Sequence, residues 1–100
     1  MKQDAIMITS RDNVATALRD LEANETCRLV AESKSLSVTV KGPIDYGHKF
    51  AVVDIPKGTD IIKYGEVIGR ATSDIPQGAH AHIENIESLR GRGDLQQRGA

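Results

Sequence analysis

The feature that most constrains the fold of this chain is a turn that occurs twice. Residues 54–58 read Asp-Ile-Pro-Lys-Gly, and residues 74–78 read Asp-Ile-Pro-Gln-Gly. With Ile at position i, each copy predicts a type I turn with Pro at i+1, where φ is preset, and Gly at i+3, where it is favoured. Each copy could be no more than a good turn. Their spacing nevertheless predicts two similarly built β arms and is far too short for a solenoid.

Short apolar runs around these turns predict antiparallel strands. Apolar and polar residues alternate over residues 27–31 and 36–40, which indicates a hairpin that turns at residues 32–35. Gly42-Pro43 ends its second strand. Further strand candidates lie at residues 5–9, 50–55, 61–62 and 67–68, the last two on either side of Tyr64-Gly65.

One segment predicts a helix. Its apolar residues recur at i, i+3, i+4 and i+7: Val14, Ala17, Leu18 and Leu21. Asp12 or Ser10 could cap its N-terminus, and Asn24 could end it. We therefore expect a mainly β, clip-like domain with one short helix over residues 1–90, followed by a flexible C-terminal tail at residues 91–100.

Composition excludes several functions. One hundred residues fit one domain, and 13 basic against 14 acidic residues give no electrostatic reason to expect nucleic acid or an anionic membrane as a partner. Aromatic residues make up only 3%, so stacking platforms for bases are not expected. The single cysteine, Cys27, suits a reducing compartment as a buried apolar residue. With neither a signal peptide nor a membrane-spanning run in the sequence, we expect a cytoplasmic protein.

The histidines suggest a polar site. His80 and His82 stand at i and i+2, which on a strand puts both rings on one face about 7 Å apart at the backbone. Glu84 continues that face, although a straight strand would place it about 13 Å from His80, too far to share one ion unless the strand bends. Two histidines and a carboxylate are ligand types of iron(II) and zinc sites, so these three are candidate metal ligands. The alternative is a pair of solvated histidines on a half-exposed strand.

Two further groups of residues could bind an anion. Lys63 and Tyr64 precede Gly65, and a lysine with a phenolic hydroxyl suits a carboxylate or sulfonate. The alternative is a solvated hairpin tip with a snorkelling lysine. Arg90 and Arg92 could clamp an anion or belong to a solvated tail.

Four motifs in succession resemble the N-terminal SAF domain of the altronate/galactarate dehydratases. They are Gly47-His48-Lys49-x-Ala51, Asp54-Ile55-x-x-Gly58, Ile62-Lys63-Tyr64-Gly65-x-x-Ile68-Gly69-x-Ala71 and Asp74-Ile75-x-x-Gly78-x-His80-x-His82. The match covers roughly residues 5–94. One departure concerns Glu84, which stands where many relatives have a third histidine, whereas the Asn85 that follows is retained.

This resemblance implies a β-clip fold and a lyase of the hydro-lyase (dehydratase) type that removes water or sulfite β to a carboxylate. The substrate would be a sugar acid or related 2-hydroxy acid such as altronate, galactarate or sulfolactate. It further implies that the chain is a small subunit, inactive without a large catalytic subunit, and that iron could be bound here or only by that partner. The alternative function is a non-catalytic SAF-type module that binds carbohydrate or an anion. The chain could also form a homo-oligomer.

The resemblance carries over His48, Lys49, Lys63, Tyr64, His80 and His82, whereas Glu84, Arg90 and Arg92 are candidates by their residue types. The catalytic candidates are His48, His80 and His82, and the metal candidates are His80, His82 and Glu84. The candidates for binding substrate are Lys49, Lys63, Tyr64, Arg90 and Arg92.

Overall fold

The computed structural model describes residues 4–88, and all regular secondary structure in that range is β. The strands are β1 (Ala5–Ile6), β2 (Val14–Ala17), β3 (Thr26–Ala31), β4 (Lys34–Thr39), β5 (Lys49–Ala51), β6 (Asp60–Lys63), β7 (Glu66–Ala71), β8 (His80–Ala81) and β9 (Ile86–Ser88). They form three antiparallel sheets with the orders β1-β2-β5-β8, β3-β4 and β6-β7-β9. The predicted mainly β fold is confirmed. No helix within residues 4–88 is long and apolar enough to span a bilayer.

The predicted helix is wrong. Residues Val14–Ala17 form β2, which lies between β1 and β5 in the four-stranded sheet. Val14, Ala15 and Ala17 are all buried because the strand packs on both faces, whereas Leu18, from the supposed apolar stripe, is 44% exposed. A short apolar run that is buried on both faces mimics a helical stripe, and periodicity alone does not separate the two. Asp12 does not cap a helix and has the different role described below.

Both predicted hairpins are confirmed. β3 pairs with β4 from Thr26↔Thr39 to Ala31↔Lys34, and its alternating burial leaves one face in the core. β6 pairs with β7 across a two-residue turn. The turn residues Tyr64 and Gly65 have φ of 55° and 78°, the positive pair that type I′ hairpins require.

The predicted positions of proline and glycine within the twin turns are wrong by one residue. The closing hydrogen bond runs from Thr59 N–H to the Pro56 carbonyl (3.1 Å) and, in the second copy, from Ala79 N–H to the Pro76 carbonyl (3.0 Å). Proline therefore occupies position i and glycine position i+2. Both glycines have a φ of 87°, which fits a type II turn rather than type I.

The turn occurs four times rather than twice. The segments are residues 17–24 (ALRDLEAN), 40–47 (VKGPIDYG), 51–58 (AVVDIPKG) and 71–78 (ATSDIPQG). In each, the fifth residue makes an isolated β-bridge, and the eighth residue has a positive φ. The sequence shows only two copies plainly, because Asn24 replaces glycine in the first segment and Pro43 replaces aspartate in the second.

The four segments pair into two crossings. In the first crossing, residues 17–24 meet residues 40–47 through the Leu21↔Ile44 bridge, and in the second, residues 51–58 meet residues 71–78 through Ile55↔Ile75. The eighth residue of each segment donates its N–H to the carbonyl of the first residue of its partner, at 2.8–2.9 Å in all four cases. A shared backbone pattern therefore closes both halves of the molecule.

Each crossing closes its own hydrophobic core. The first core contains Leu21, Ile44 and Phe50, and the second contains Ile55 and Ile75, all at most 2% exposed. β5 joins the two cores, because Phe50 packs into the first and the next residue, Ala51, into the second. The polar residues discussed next lie where β5, β6 and β8 meet the second core.

Candidate functional site

The three histidines form one cluster in or next to the paired strands β5 and β8. His80 in β8 pairs with Phe50 in β5, which brings it beside His48. His48 Nδ1 lies 2.9 Å from His80 Nε2, and the rings of His48 and His82 stack with centroids 4.3 Å apart. The predicted placement of the His80 and His82 rings on one side holds, with centroids 5.6 Å apart.

A bend after β8 brings Glu84 back to this cluster. The Asn85 side chain accepts the His82 N–H (2.9 Å) and donates to the His80 carbonyl (2.8 Å), so it fixes a turn between them. Within that turn, Glu84 Oε2 reaches His80 Nδ1 at 2.5 Å. The carboxylate therefore contacts the first histidine, as only a bent strand allows. Sequence reasoning missed the part played by Asn85, for which the only signal was the turn preference of asparagine.

For neutral His48 and His80 rings, the hydrogen-bond partners determine which ring nitrogens carry protons. An ionised Glu84 only accepts, so His80 donates from Nδ1. In neutral His80, Nε2 is then an acceptor, and His48 must donate to it from Nδ1. This order leaves Nε2 of His48 without a proton and able to act as an acceptor.

The residues of this cluster do not fit a complete metal site. Both ring nitrogens of His80 already have partners in His48 and Glu84. Within residues 4–88, no three His, Cys, Asp or Glu side chains are grouped so that they could hold one ion. Of the predicted ligands, His82 retains a ring nitrogen, the buried Nδ1, that has no hydrogen-bond partner.

A cavity of about 430 Å³ lies beside the cluster, and four of the predicted site residues line it. They are Lys49, Lys63, Tyr64 and His82. The lysines come from β5 and β6, and Lys63 Nζ lies 5.0 Å from the centre of the Tyr64 ring. Neither lysine takes part in an ion pair among residues 4–88. One carboxylate, Glu66, also lines the cavity, so two cations face a single acidic residue. The excess of positive charge favours an anionic ligand.

The electrostatics of the cavity favour neutral bases beside positive charge. Burial lowers the pKa of Lys49, and the charge of Lys63 lowers it further. Burial likewise lowers the pKa of His82 below 6.5, and the charge of Lys49 adds to the effect. For Glu84, burial raises the pKa, but hydrogen bonds from its own backbone and from His80 outweigh this and leave the value lowered. At neutral pH, His82 is therefore unprotonated and Glu84 is ionised.

Asp12 anchors the hairpin tip that carries Tyr64. Its carboxylate is 4% exposed and accepts the backbone N–H groups of Tyr64 (3.0 Å) and Gly65 (2.8 Å). It also accepts the N–H groups of Ile8 and Thr9 and the Thr9 hydroxyl. Burial alone would raise the pKa of Asp12, but these hydrogen bonds lower it below 3.8. No local pattern could have shown this role, because the hairpin lies more than fifty residues away in sequence.

The structure thus separates the predicted site residues into groups. Lys49, Lys63, Tyr64 and His82 face the cavity, whereas His48, His80 and Glu84 form a hydrogen-bonded chain beside it. The remaining predicted residues, Arg90 and Arg92, and the tail at residues 91–100 lie outside the described residues.

Comparison with known protein families identifies the domain. Residues 3–89 match the altronate/galactarate dehydratase SAF domain. The chain belongs to this family. Its antiparallel β architecture and its motifs around His48, Lys63 and His80 are those of a SAF domain, as the resemblance implied.

Individual relatives are lyases or parts of lyases. The chain is 44% identical over 83 residues to altronate dehydratase of Escherichia coli (strain K12), which is 83% of this chain but 16% of that protein. It is 33% identical over 64 residues to (2R)-sulfolactate sulfo-lyase subunit alpha of Paracoccus pantotrophus, which is 64% of this chain and 96% of that subunit. The chain therefore corresponds to a small part of the dehydratases and to nearly all of this sulfo-lyase subunit.

Proposed function

We propose that this chain is the small subunit of a lyase that eliminates water or sulfite from a 2-hydroxy acid. The substrate class is a sugar acid such as altronate or galactarate, or a sulfonated acid such as sulfolactate. A separate large subunit supplies most of the catalytic machinery, and this chain contributes polar side chains to the shared site. The cytoplasmic location and any homo-oligomer stay predictions.

One observation carries this proposal: the cavity combines two unpaired lysines with a neutral histidine. A substrate carboxylate would take the position between Lys49 and Lys63, where the Tyr64 hydroxyl adds a donor. His82 lines the same cavity and is unprotonated at neutral pH, so it can accept a proton.

The chemistry follows from this arrangement. Elimination breaks the C–H bond next to the carboxylate and the C–O or C–S bond at the β carbon, and a C=C bond forms between them. The base takes the proton, and hydroxide, protonated to water, or sulfite departs. The enol that results tautomerises to a 2-keto acid. We assign proton abstraction to His82 through Nε2, because its Nδ1 is buried. The lysines would stabilise the negative charge that develops on the carboxylate.

The histidine chain beside the cavity would support this base. His48 stacks on His82 and is oriented by His80, which Glu84 orients in turn. If the family's iron takes part, the large subunit would hold it, since residues 4–88 provide no three-ligand group. A bound iron would supply a Lewis acid for the leaving group.

The experiment combines the chain with a large dehydratase-type subunit and measures formation of 2-keto acid from altronate, galactarate and sulfolactate. We expect activity only with both chains present. His82→Gln should lower kcat by about 100-fold or more, as loss of a general base does. Val30→Ser, an exposed change on β3, serves as the matched control and should keep full activity.

Two results would contradict the proposal. One is activity that survives replacement of both His80 and His82 by alanine. The other is binding of these acids to the chain alone, seen by NMR, without turnover when the large subunit is added. The second result would favour the non-catalytic anion-binding module instead.

A further inference from the structure

An apolar rim surrounds the mouth of the cavity. It consists of Tyr64, Ile68, Ile83 and Ile86, all of which line the cavity. Ile83 is 85% exposed and Tyr64 is 46% exposed. Ile83 is the most exposed large apolar side chain among residues 4–88, and it stands at the apex of the turn that Asn85 fixes. An exposed isoleucine that continues an apolar patch beside a cavity is typical of a contact surface.

The exposure of Ile83 is built into the fold. Its neighbours His82 and Asn85 are tied by two hydrogen bonds, so the turn cannot fold Ile83 inward without breaking them. Ala81, on the other side, is fully buried in the second core. Exposure of this apolar side chain to water is unfavourable, and a partner that covers it would remove that cost.

The last described strand also ends beside the cavity. β9 ends at Ser88, which lines the cavity next to Ile86. The family match ends at residue 89, yet altronate dehydratase of E. coli is about six times longer than the matched segment, since that segment is 16% of its length. In a relative where a longer chain continues from this point, the continuation leaves the domain at the cavity mouth.

We infer that the apolar rim is the docking surface for the large subunit, so that the mouth of the cavity is closed by the interface. This inference rests on the proposed function, because it names the surface by which the same site is completed. The partner would present an apolar patch to Ile83 and Ile86. The interface would exclude water from Lys49, Lys63 and His82, which strengthens their interactions with an anionic substrate.

The test uses E. coli altronate dehydratase in which the matching N-terminal segment is replaced by residues 1–89 of this chain. Backbone hydrogen exchange is measured in the chimera and in the free full-length chain, and dehydration of altronate is measured separately. We expect exchange at residues 64–68 and 82–88 to be slower in the chimera by about tenfold or more, because those amides open only when the interface does. Exchange in the β3–β4 hairpin should not change.

Two variants in the chimera sharpen this test. Ile83→Asp should abolish the protection at residues 82–88 and lower kcat/KM, whereas Val30→Asp should do neither, since Val30 lies on β3 and is 47% exposed. Exchange in the core strands of each variant shows that the domain remains folded.

The outcomes separate this inference from the proposed function. If the slowed exchange appears in the β3–β4 hairpin, or if it persists in the Ile83→Asp variant, the apolar rim is not the docking surface, even if the chimera is active. A chimera that is protected but does not dehydrate altronate contradicts a role of this chain in altronate dehydration and leaves the docking surface standing. A chimera with neither protection nor activity contradicts both the docking surface and that role.

Discussion

Two polar clusters meet at the hairpin tip of Tyr64 and Gly65, and they differ in how their charges are compensated. Asp12 is buried, and its carboxylate is saturated with hydrogen bonds from Ile8, Thr9, Tyr64 and Gly65. The cavity side holds Lys49 and Lys63, whose charges have no ion-pair partner among the described residues. A saturated buried charge stabilises a fold, whereas unpaired charges in a cavity are available to a ligand. Mutations in the two clusters should therefore separate stability from function.

The largest expected effect is on stability. Asp12→Ala should lower the free energy of unfolding by about 2–4 kcal/mol, because several buried N–H groups lose their acceptor. Urea denaturation followed by circular dichroism measures this loss. The matched control, Asp45→Ala, removes an exposed aspartate from a turn and should cost far less. If both variants unfolded alike, Asp12 would not be the anchor of the hairpin.

The same residue predicts a pH dependence. The pKa of Asp12 is lowered in the folded protein, so its stabilisation is complete above its ordinary pKa of 3.8 and is lost as the pH falls through the lower folded pKa. The wild-type protein should therefore lose stability as the pH falls below 3.8. Asp12→Asn should be less stable at neutral pH, and its loss of stability over that acid range should be smaller. Equal acid sensitivity in both proteins would place the effect in other carboxylates.

Mutation of a cavity lysine should change ligand affinity rather than the stability of the fold. Lys63→Met should weaken binding of an anionic substrate analogue by about 10-fold, the equivalent of roughly 1.4 kcal/mol, because one cation is removed. Its free energy of unfolding should change little, since no ion pair is lost. Isothermal titration of the complex with its large subunit measures the affinity, and Lys57→Met, on a turn away from the cavity, is the control. Loss of stability without loss of affinity would reverse the roles assigned to the two clusters.

The smallest expected effect is a shift in one titration. Burial and the charge of Lys49 both lower the pKa of His82, so Lys49→Met should raise it toward the ordinary value of 6.5. NMR titration of the free chain follows the His82 ring directly and needs no partner. Lys41→Met changes a lysine that is not among the causes of the shift and should leave the His82 titration unchanged. A fall in the His82 pKa after Lys49→Met would show that the charge of Lys49 is not what lowers it.

The sequence allowed most of the strands to be predicted, because their signals are local, and it singled out four of the residues that line the cavity. Alternation marks β3 and β4, and the turn at Tyr64-Gly65 marks the β6–β7 hairpin. The motifs of the family resemblance include Lys63 and His82, and the structure brings both to one cavity, whereas their roles stay predictions. Local signals failed at β2, where burial on both faces imitated one face of a helix.

Other features depend on contacts between distant residues. Asp12 reaches Tyr64 across 52 positions, and the His48–His80 contact spans 32. The bend that brings Glu84 to His80 depends on the Asn85 side chain and not on strand periodicity. Two of the four crossing segments stayed hidden because hydrogen bonds between segments, rather than residue types, define the pattern.

The four crossing segments also differ in how much sequence change each can absorb. A side-chain carbon added at Gly58 would meet nothing within 4 Å, so only the positive φ restricts that position, and Asn24 shows that asparagine meets the same demand. At Gly78 the added carbon would lie 2.1 Å from the Thr39 carbonyl oxygen. Homologues should therefore accept either glycine or asparagine at three of the four turns, and should keep glycine at position 78.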